Sequence, residues 1–159
     1  MIHTENLTKK FNTNLAVENL NLEIREGEVF GFLGPNGAGK TTTVRMLCSL
    51  IGPTKGRAWV NGFEIGQQDT MIRKSVGILT ETPGMYDNLS AEYNLRIYAQ
   101  LYGVKDPAGQ VEKYLRMLGL WDRRFEEAGM FSKGMRQKLA IARALLHEPR
   151  ILFLDEPTS

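Results

Sequence analysis

Short apolar runs separated by turn residues make up the first third of the chain. These runs predict strands at residues 2–7, 17–24 and 28–33. The third run, which starts at Val29, is almost continuously apolar, as is typical of a strand covered on both faces. Further along, Asn61-Gly62 lies between two apolar segments and predicts a tight hairpin, because this dipeptide supplies the positive φ angles that such a turn requires. The sequence therefore predicts an antiparallel patch near the N-terminus.

Helical periodicity follows these strands and alternates with two more apolar runs. It predicts helices at about residues 41–50, 91–101, 107–118 and 133–146, and strands at residues 75–79 and 150–154. Ser90, Asp106 and Ser132 stand where residues that cap helix N-termini are expected. Strands separated by helices indicate an α/β fold with a mainly parallel sheet.

Composition and charge narrow the class of protein. The chain has 159 residues, enough for one domain, and 42% of them are hydrophobic. Its 20 basic and 18 acidic residues leave a net charge of +2, so electrostatics give no basis for nucleic acid as a partner. The one cysteine, Cys48, fits a reducing compartment, and no apolar stretch approaches the ~18 residues of a membrane span. We therefore expect a cytoplasmic protein.

The segment after the third predicted strand has the spacing of a phosphate-binding turn, Gly-x-x-x-x-Gly-Lys-Thr. Its residues are Gly34, Pro35, Asn36, Gly37, Ala38, Gly39, Lys40 and Thr41. Glycines let backbone N–H groups approach a polyphosphate, and the next helix directs its positive end to the same place. Lys40 supplies a charge for the β- and γ-phosphates, and the Thr41 hydroxyl is a ligand for Mg²⁺. A glycine-rich turn that binds nothing is the alternative, but the position between strand and helix favours a phosphate site.

The last predicted strand delivers two carboxylates, Asp155 and Glu156, at its C-terminal end. In enzymes with such a phosphate-binding turn, the first carboxylate belongs to the Mg²⁺ shell and a neighbouring acid orients the attacking water. We therefore predict that Asp155 is a metal ligand and that Glu156 is catalytic. For this segment taken alone, a solvated acidic turn is the alternative.

Residues 131–138, between these two motifs, read Phe-Ser-Lys-Gly-Met-Arg-Gln-Lys, and from Lys133 onwards they belong to the predicted helix at residues 133–146. This segment resembles the signature of ABC transporter ATP-binding subunits, whose usual form is Leu-Ser-Gly-Gly-Gln. The matching positions are Ser132 and Gly134, and the differing ones are Phe131, Lys133 and Met135. The Ser-Lys-Gly-Met form resembles a variant of exporter-type subunits. The three motifs occur in the order of that family, so the resemblance covers the whole chain.

The resemblance implies one ATP-binding domain at residues 1–159. Its expected architecture is an α/β P-loop NTPase core with an N-terminal antiparallel β patch and a helical subdomain at about residues 83–130. It also implies that ATP and Mg²⁺ are bound, with Thr42 added to the nucleotide-binding turn. The signature residues Ser132, Gly134 and Met135 are then expected to act on ATP held by a second subunit. A plain N-cap is the alternative for Ser132.

Two further positions follow from the same resemblance. Phe11 stands where the family stacks an aromatic ring on adenine, although a core position is its alternative. Glu81 stands where the family has a glutamine that ligates Mg²⁺ and lies in the loop that senses the membrane partner. Because a carboxylate also ligates Mg²⁺, we expect Glu81 to do so; a solvated loop acid is the alternative.

The predicted function is an ATP-hydrolysing subunit that energises a separate membrane permease on the inner face of the membrane. It would pair with a second ATP-binding subunit. The family's domain continues with further strands beyond the position of Ser159, so we expect the C-terminal strands of the core to be missing and the chain to be an unstable fragment. The alternative is a truncated remnant that binds ATP without efficient hydrolysis. Neither the transported substrate nor its direction is encoded in these motifs.

Overall fold

A four-stranded antiparallel sheet forms the first part of the chain. Its strands are β1 (Ile2–Phe11), β2 (Asn14–Ile24), β3 (Lys55–Val60) and β4 (Phe63–Glu64), in the spatial order β2-β1-β3-β4. Asn61 and Gly62 connect β3 to β4 with φ angles of 54° and 82°. The hairpin and the N-terminal antiparallel patch are therefore confirmed.

The computed structural model describes residues 1–80 and 84–155, which divide between two units, Met1–Val76 and Gly77–Ser159. In the N-terminal unit, α1 (Lys40–Leu47) lies against β2 and β3, and α2 (Asp69–Ser75) lies against β4. Helix α1 buries Val44, Met46 and Leu47. The sequence did not predict α2, because Ile72 is its one buried residue and gives no apolar stripe.

Three helices of the C-terminal unit pack around an apolar core. They are α3 (Ala91–Leu101), α4 (Pro107–Met117) and α5 (Lys133–Leu145), with short 3-10 helices at Trp121–Arg123 and Ala128–Met130. The core includes Leu95, Leu115, Leu120, Phe131, Leu139 and Leu146. The side chains of Ser90, Asp106 and Ser132 accept hydrogen bonds at the three helix N-termini, as predicted. In the part of the chain that the structure describes, no helix is long and apolar enough to cross a membrane.

The remaining strands, β5 (Val76–Leu79) and β6 (Ile151–Leu154), form a separate two-stranded sheet. With the helices and the antiparallel sheet they complete a mixed α/β fold.

The predicted strand at residues 28–33 is wrong. This segment has no regular structure, and Val29 and Leu33 are almost fully exposed. A strand exists only where a neighbour donates and accepts the ladder hydrogen bonds, and no described strand pairs with this segment. The apolar run predicts burial, but among the described residues no strand lies beside it to cover its side chains or pair with its backbone.

Candidate functional site

The predicted phosphate-binding turn leads directly into α1. Lys40 is the first residue of the helix, and Gly39 before it adopts φ +84°. Gly37 has a similar φ of +82°, and the Ala38 N–H donates a hydrogen bond of 3.2 Å to the Pro35 carbonyl. These left-handed positions bend the backbone sharply at little cost, because glycine has no Cβ. The segment is exposed from Gly34 to Ala38, so its backbone faces solvent at the N-terminus of α1.

Gly39 is also required by its close approach to β2. A Cβ at this position would lie 2.3 Å from the Ala16 carbonyl oxygen and 3.0 Å from Val17 Cγ2. Gly37 differs, because a Cβ there would meet nothing within 4 Å. The contacts of the chain therefore explain glycine at position 39, whereas the space beside Gly37 is open to a ligand.

The Lys40 side chain folds back over this turn. Its Nζ donates hydrogen bonds to the carbonyl oxygens of Gly34, at 2.7 Å, and Pro35, at 2.9 Å. The ammonium group is thus held at the loop by two neutral acceptors. A phosphate oxygen is a stronger acceptor for an ammonium group than a carbonyl oxygen, because the bond is then charged on both sides. The arrangement suits the exchange of these carbonyls for a polyphosphate.

The first turn of α1 carries two of the predicted ligands, Thr41 and Thr42, both half-buried. Thr43, one position on, is buried and donates its hydroxyl to the Gly39 carbonyl at 2.9 Å, so it belongs to the helix start. No acidic residue lies in this first turn. The positive end of the helix is therefore not neutralised by a side chain of the turn.

Phe11 ends β1 with 46% of its surface exposed, so the core alternative for this residue is wrong. The Lys9 ammonium lies 5.0 Å from the centre of its ring and also donates to the Gly52 carbonyl at 2.7 Å. An ammonium group over one face of an aromatic ring is compatible with a base stacked on the other face. Exposure of the ring is what stacking on a base requires.

The signature residues lie at the start of α5. Ser132 Oγ accepts a hydrogen bond from the Met135 N–H at 3.3 Å, so this serine is an N-cap. A Cβ on Gly134 would meet nothing within 4 Å, and its φ is not positive, so no contact within the described chain demands glycine there. The Met135 sulfur accepts a hydrogen bond from Arg123 at 3.3 Å. Ser132 and Gly134 are exposed and open to an external ligand.

Asp155 follows β6 directly and is half-buried. Its backbone N–H donates a hydrogen bond of 2.9 Å to the carbonyl of Leu79 at the end of β5. The backbone of Asp155 is therefore fixed at one end of the two-stranded sheet. Glu156 and Glu81 lie outside the described residues.

The predicted site residues fall in two groups. Phe11 and the 34–42 segment belong to the N-terminal unit, and the 132–135 segment and Asp155 belong to the C-terminal unit. Within residues 1–80 and 84–155, no three His, Cys, Asp or Glu side chains gather as a metal centre. A hydroxyl and a single carboxylate suit Mg²⁺, which is commonly held by one or two carboxylates together with substrate phosphates. The donor types of Thr41 and Asp155 therefore fit this ion.

Arg136 makes contacts that the sequence pattern does not reveal. Its guanidinium donates to Asp87 Oδ1 at 2.9 Å and to the Gly129 carbonyl at 3.0 Å. Asp87 is 49 positions away along the chain. No local motif links two residues at that separation, so only the fold could identify this pair.

Comparison with known proteins gives a consistent picture. The ABC transporter family profile matches residues 17–159. The bacitracin transport ATP-binding protein BcrA of Bacillus licheniformis is 43% identical over all of this chain, which covers 52% of that protein. The probable multidrug ABC transporter ATP-binding protein YbhF of Escherichia coli is 42% identical, again over the whole chain and 28% of the relative. The chain thus spans about half, or less, of the length of these relatives.

A solved structure agrees with the fold. The dimeric ATP-binding cassette MJ0796, in a post-hydrolysis state with ADP and Pi, aligns with a TM-score of 0.85 and 26% identity. The alignment covers 99% of this chain and 75% of that one.

Proposed function

The chain belongs to the ABC transporter family, and from that premise we propose that it is an ATP-binding and ATP-hydrolysing subunit. It would act in the cytoplasm, on the inner face of the membrane, and energise transport through a separate permease. The names of its relatives, a bacitracin transport protein and a probable multidrug transporter, support an exporter of the drug or antibiotic type. Selection of the substrate would rest with the permease.

The observation that carries this proposal is the Lys40 ammonium folded over a glycine turn at the N-terminus of α1. Backbone N–H groups, a helix N-terminus and the Lys40 ammonium group lie together at one exposed loop. In the proposed complex, Lys40 exchanges its carbonyl partners for the β- and γ-phosphates, and Phe11 stacks on the adenine. Gly37 leaves the backbone accessible to the phosphates on the open side of the loop.

Thr41, Asp155 and Glu81 are the proposed residues of the Mg²⁺ site. When bound, the ion neutralises charge that develops on the β- and γ-phosphate oxygens. In the same proposal, Glu156 accepts a hydrogen bond from the attacking water and orients it in line with the γ-phosphate. Asp155 is suited to its role because its backbone is fixed to β5 through Leu79.

Completion of the site requires a second ATP-binding subunit. We propose that Ser132, Gly134 and Met135 of one subunit close over the ATP bound by the other. The open space around Gly134 and the exposure of Ser132 support a ligand outside the chain. The solved relative MJ0796, which is described as dimeric and bound to ADP and Pi, supports pairing with a second subunit.

Replacement of Lys40 by alanine tests the phosphate-binding role. Loss of a charge-assisted hydrogen bond costs about 1.5–3 kcal/mol, so Lys40→Ala should weaken ATP binding roughly 10- to 150-fold, measured with a fluorescent nucleotide. Lys55→Ala is the matched control, since Lys55 is an exposed lysine of the same unit. Equal affinities for the two variants would contradict the proposal.

The Glu156→Gln variant separates binding from hydrolysis. It should bind ATP as the unmodified chain does but release no phosphate, because the amide is a much weaker proton acceptor. The alternative function, nucleotide binding without efficient turnover, predicts saturable ATP binding and no phosphate release even before this substitution. Phosphate release by the unmodified chain decides between the two functions.

Glu81 is tested by the metal dependence of the reaction. If its carboxylate is a Mg²⁺ ligand, Glu81→Gln should shift the Mg²⁺ concentration that gives half-maximal ATP turnover, because a charged ligand is replaced by a neutral one. Identical Mg²⁺ curves for the two proteins would remove Glu81 from the site.

A further inference from the structure

Two segments of the C-terminal unit are joined by a short ladder of backbone hydrogen bonds. Residues 87–92 form one side and residues 124–129 form the other; we call this the 87–92/124–129 ladder. Its bonds run from the N–H groups of Gly129, Ala128, Ala91 and Glu92 to the carbonyls of Asp87, Leu89, Glu126 and Arg124, at 2.9–3.0 Å. The second segment ends three residues before Ser132, so the ladder adjoins the signature.

Arg136 of α5 binds both segments at the end of the ladder where Gly129 pairs with Asp87. Its guanidinium holds the Asp87 carboxylate and the Gly129 carbonyl at the same time, one acceptor from each segment. The two segments approach so closely here that a Cβ on Gly129 would lie 2.9 Å from the Asp87 carbonyl oxygen. Arg136 also lies one helical turn from the signature serine, because its backbone N–H donates to the Ser132 carbonyl at 2.9 Å.

The first side of the ladder, residues 87–92, is also anchored by a residue other than Arg136. Asn94 of α3 is fully buried, accepts a hydrogen bond from the Tyr86 N–H and donates to the carbonyls of Tyr86, Leu89 and Ser90. Residues 86–90 are therefore fixed to α3 whether or not Arg136 is present. Removal of the clamp should release the 124–129 side, which leads into Ser132, and leave the other side in place.

We propose that Arg136 is a positioning residue that holds Ser132, at the N-terminus of α5, on the 87–92/124–129 ladder. This inference rests on the proposed function, in which Ser132 contacts ATP on a second subunit. Arg136 and Asp87 are partly exposed, and such pairs add little to stability. Misplacement of a reacting contact by about 1 Å, in contrast, is enough to slow catalysis roughly 100-fold. The clamp therefore affects the rate more than the folding of the chain.

The test is Arg136→Gln in the full chain. Turnover should fall roughly tenfold or more, while ATP affinity at the Lys40 site stays within about twofold, because the two groups belong to different units. Hydrogen exchange should quicken at the amides of Gly129 and Met135 and remain unchanged in α4. Arg136→Lys should restore part of the rate, since an ammonium group reaches one of the two acceptors. Arg116→Gln is the matched control, because it removes a different exposed arginine–carboxylate pair of the same unit, Arg116 with Glu112.

A double variant identifies the residue through which Arg136 acts. If Arg136 works through Ser132, then Arg136→Gln should slow a Ser132→Ala protein no further. Multiplied losses in the double variant, or wild-type turnover and exchange in Arg136→Gln, would overturn the inference. Asp87→Asn removes the charge of the partner with little change in shape and should reproduce part of the defect if Arg136→Gln does not fold. Failure of the proposed function is distinguished by Lys40→Ala, which would then bind ATP normally.

Discussion

Gly39 and Gly66 adopt nearly the same backbone conformation in different surroundings. Their φ angles are +84° and +85°, but a Cβ on Gly39 would press against the Ala16 carbonyl, whereas one on Gly66 would meet nothing within 4 Å. Gly66→Ala should therefore cost about 1–2 kcal/mol of unfolding free energy, from the left-handed backbone alone. Gly39→Ala should cost about 1–3 kcal/mol more, because a neighbouring strand must move. Denaturant unfolding of both variants measures the difference. Equal losses of unfolding free energy would show that β2 moves away from the added methyl group at no measurable cost.

Phe11 provides a test of base recognition. If its exposed ring stacks on adenine, Phe11→Ala should lose about 1–3 kcal/mol of ATP binding and leave the affinity for inorganic triphosphate unchanged. Phe11→Tyr keeps an aromatic face and should bind ATP normally. Competition of each ligand against a fluorescent nucleotide measures both affinities. A parallel loss for ATP and triphosphate would mean that the substitution disturbs the phosphate loop instead.

At the scale of elements, α3 and α5 offer a matched pair of helix caps. Ser90 accepts a hydrogen bond from Tyr93 at 3.1 Å, and Ser132 accepts one from Met135 at 3.3 Å. Each Ser→Ala substitution should therefore cost about 1 kcal/mol of stability. If Ser132 is also a ligand for ATP, only Ser132→Ala should slow turnover beyond the small effect of a lost cap. Equal turnover in the two variants would leave Ser132 as a cap and nothing more.

Elements with local causes were predicted closely. The helix starts at Ser90, Asp106 and Ser132 depend on a side chain and an amide three residues apart, so the sequence contains the whole interaction. The strand expected at residues 28–33 depends on a partner elsewhere in the chain, and the prediction is wrong for that reason. Helix α2 has too few buried residues for a periodic signal.

The candidate site also has a part that depends on local sequence and a part that depends on residues far apart in the chain. Its phosphate turn occupies contiguous residues, so the Gly-x-x-x-x-Gly-Lys-Thr spacing predicts an accessible glycine turn followed by a helix. The structure has left-handed Gly37 and Gly39 there, and the helix begins at Lys40. The clamp of Arg136 on Asp87 and Gly129 brings together residues far apart in sequence. Its geometry depends on the packing of α3 and α5, which no single segment specifies.

For the whole molecule, the central question is whether one ATP site draws residues from two subunits. A Lys40→Ala protein retains its signature, and a Ser132→Ala protein retains its phosphate loop, so each alone should release phosphate much more slowly than the unmodified chain. In a symmetric dimer that shares residues between subunits, a mixed pair contains one site with both groups intact. The mixture should therefore recover about a quarter of the wild-type sites, since half of randomly formed dimers are mixed.

The same mixture distinguishes the alternative in which each subunit uses its own serine. Every site in the mixed dimer would then lack either the ammonium group or the hydroxyl, and turnover would stay at the level of the separate variants. Phosphate release measured against the mixing ratio should peak at equal amounts if the serine acts across the dimer. A flat profile, together with ATP-dependent association of the variants, would place Ser132 in the site of its own subunit. The shape of the curve of phosphate release therefore depends on whether Lys40 and Ser132 of one site come from the same subunit or from two. It does not depend on the strength of any single contact.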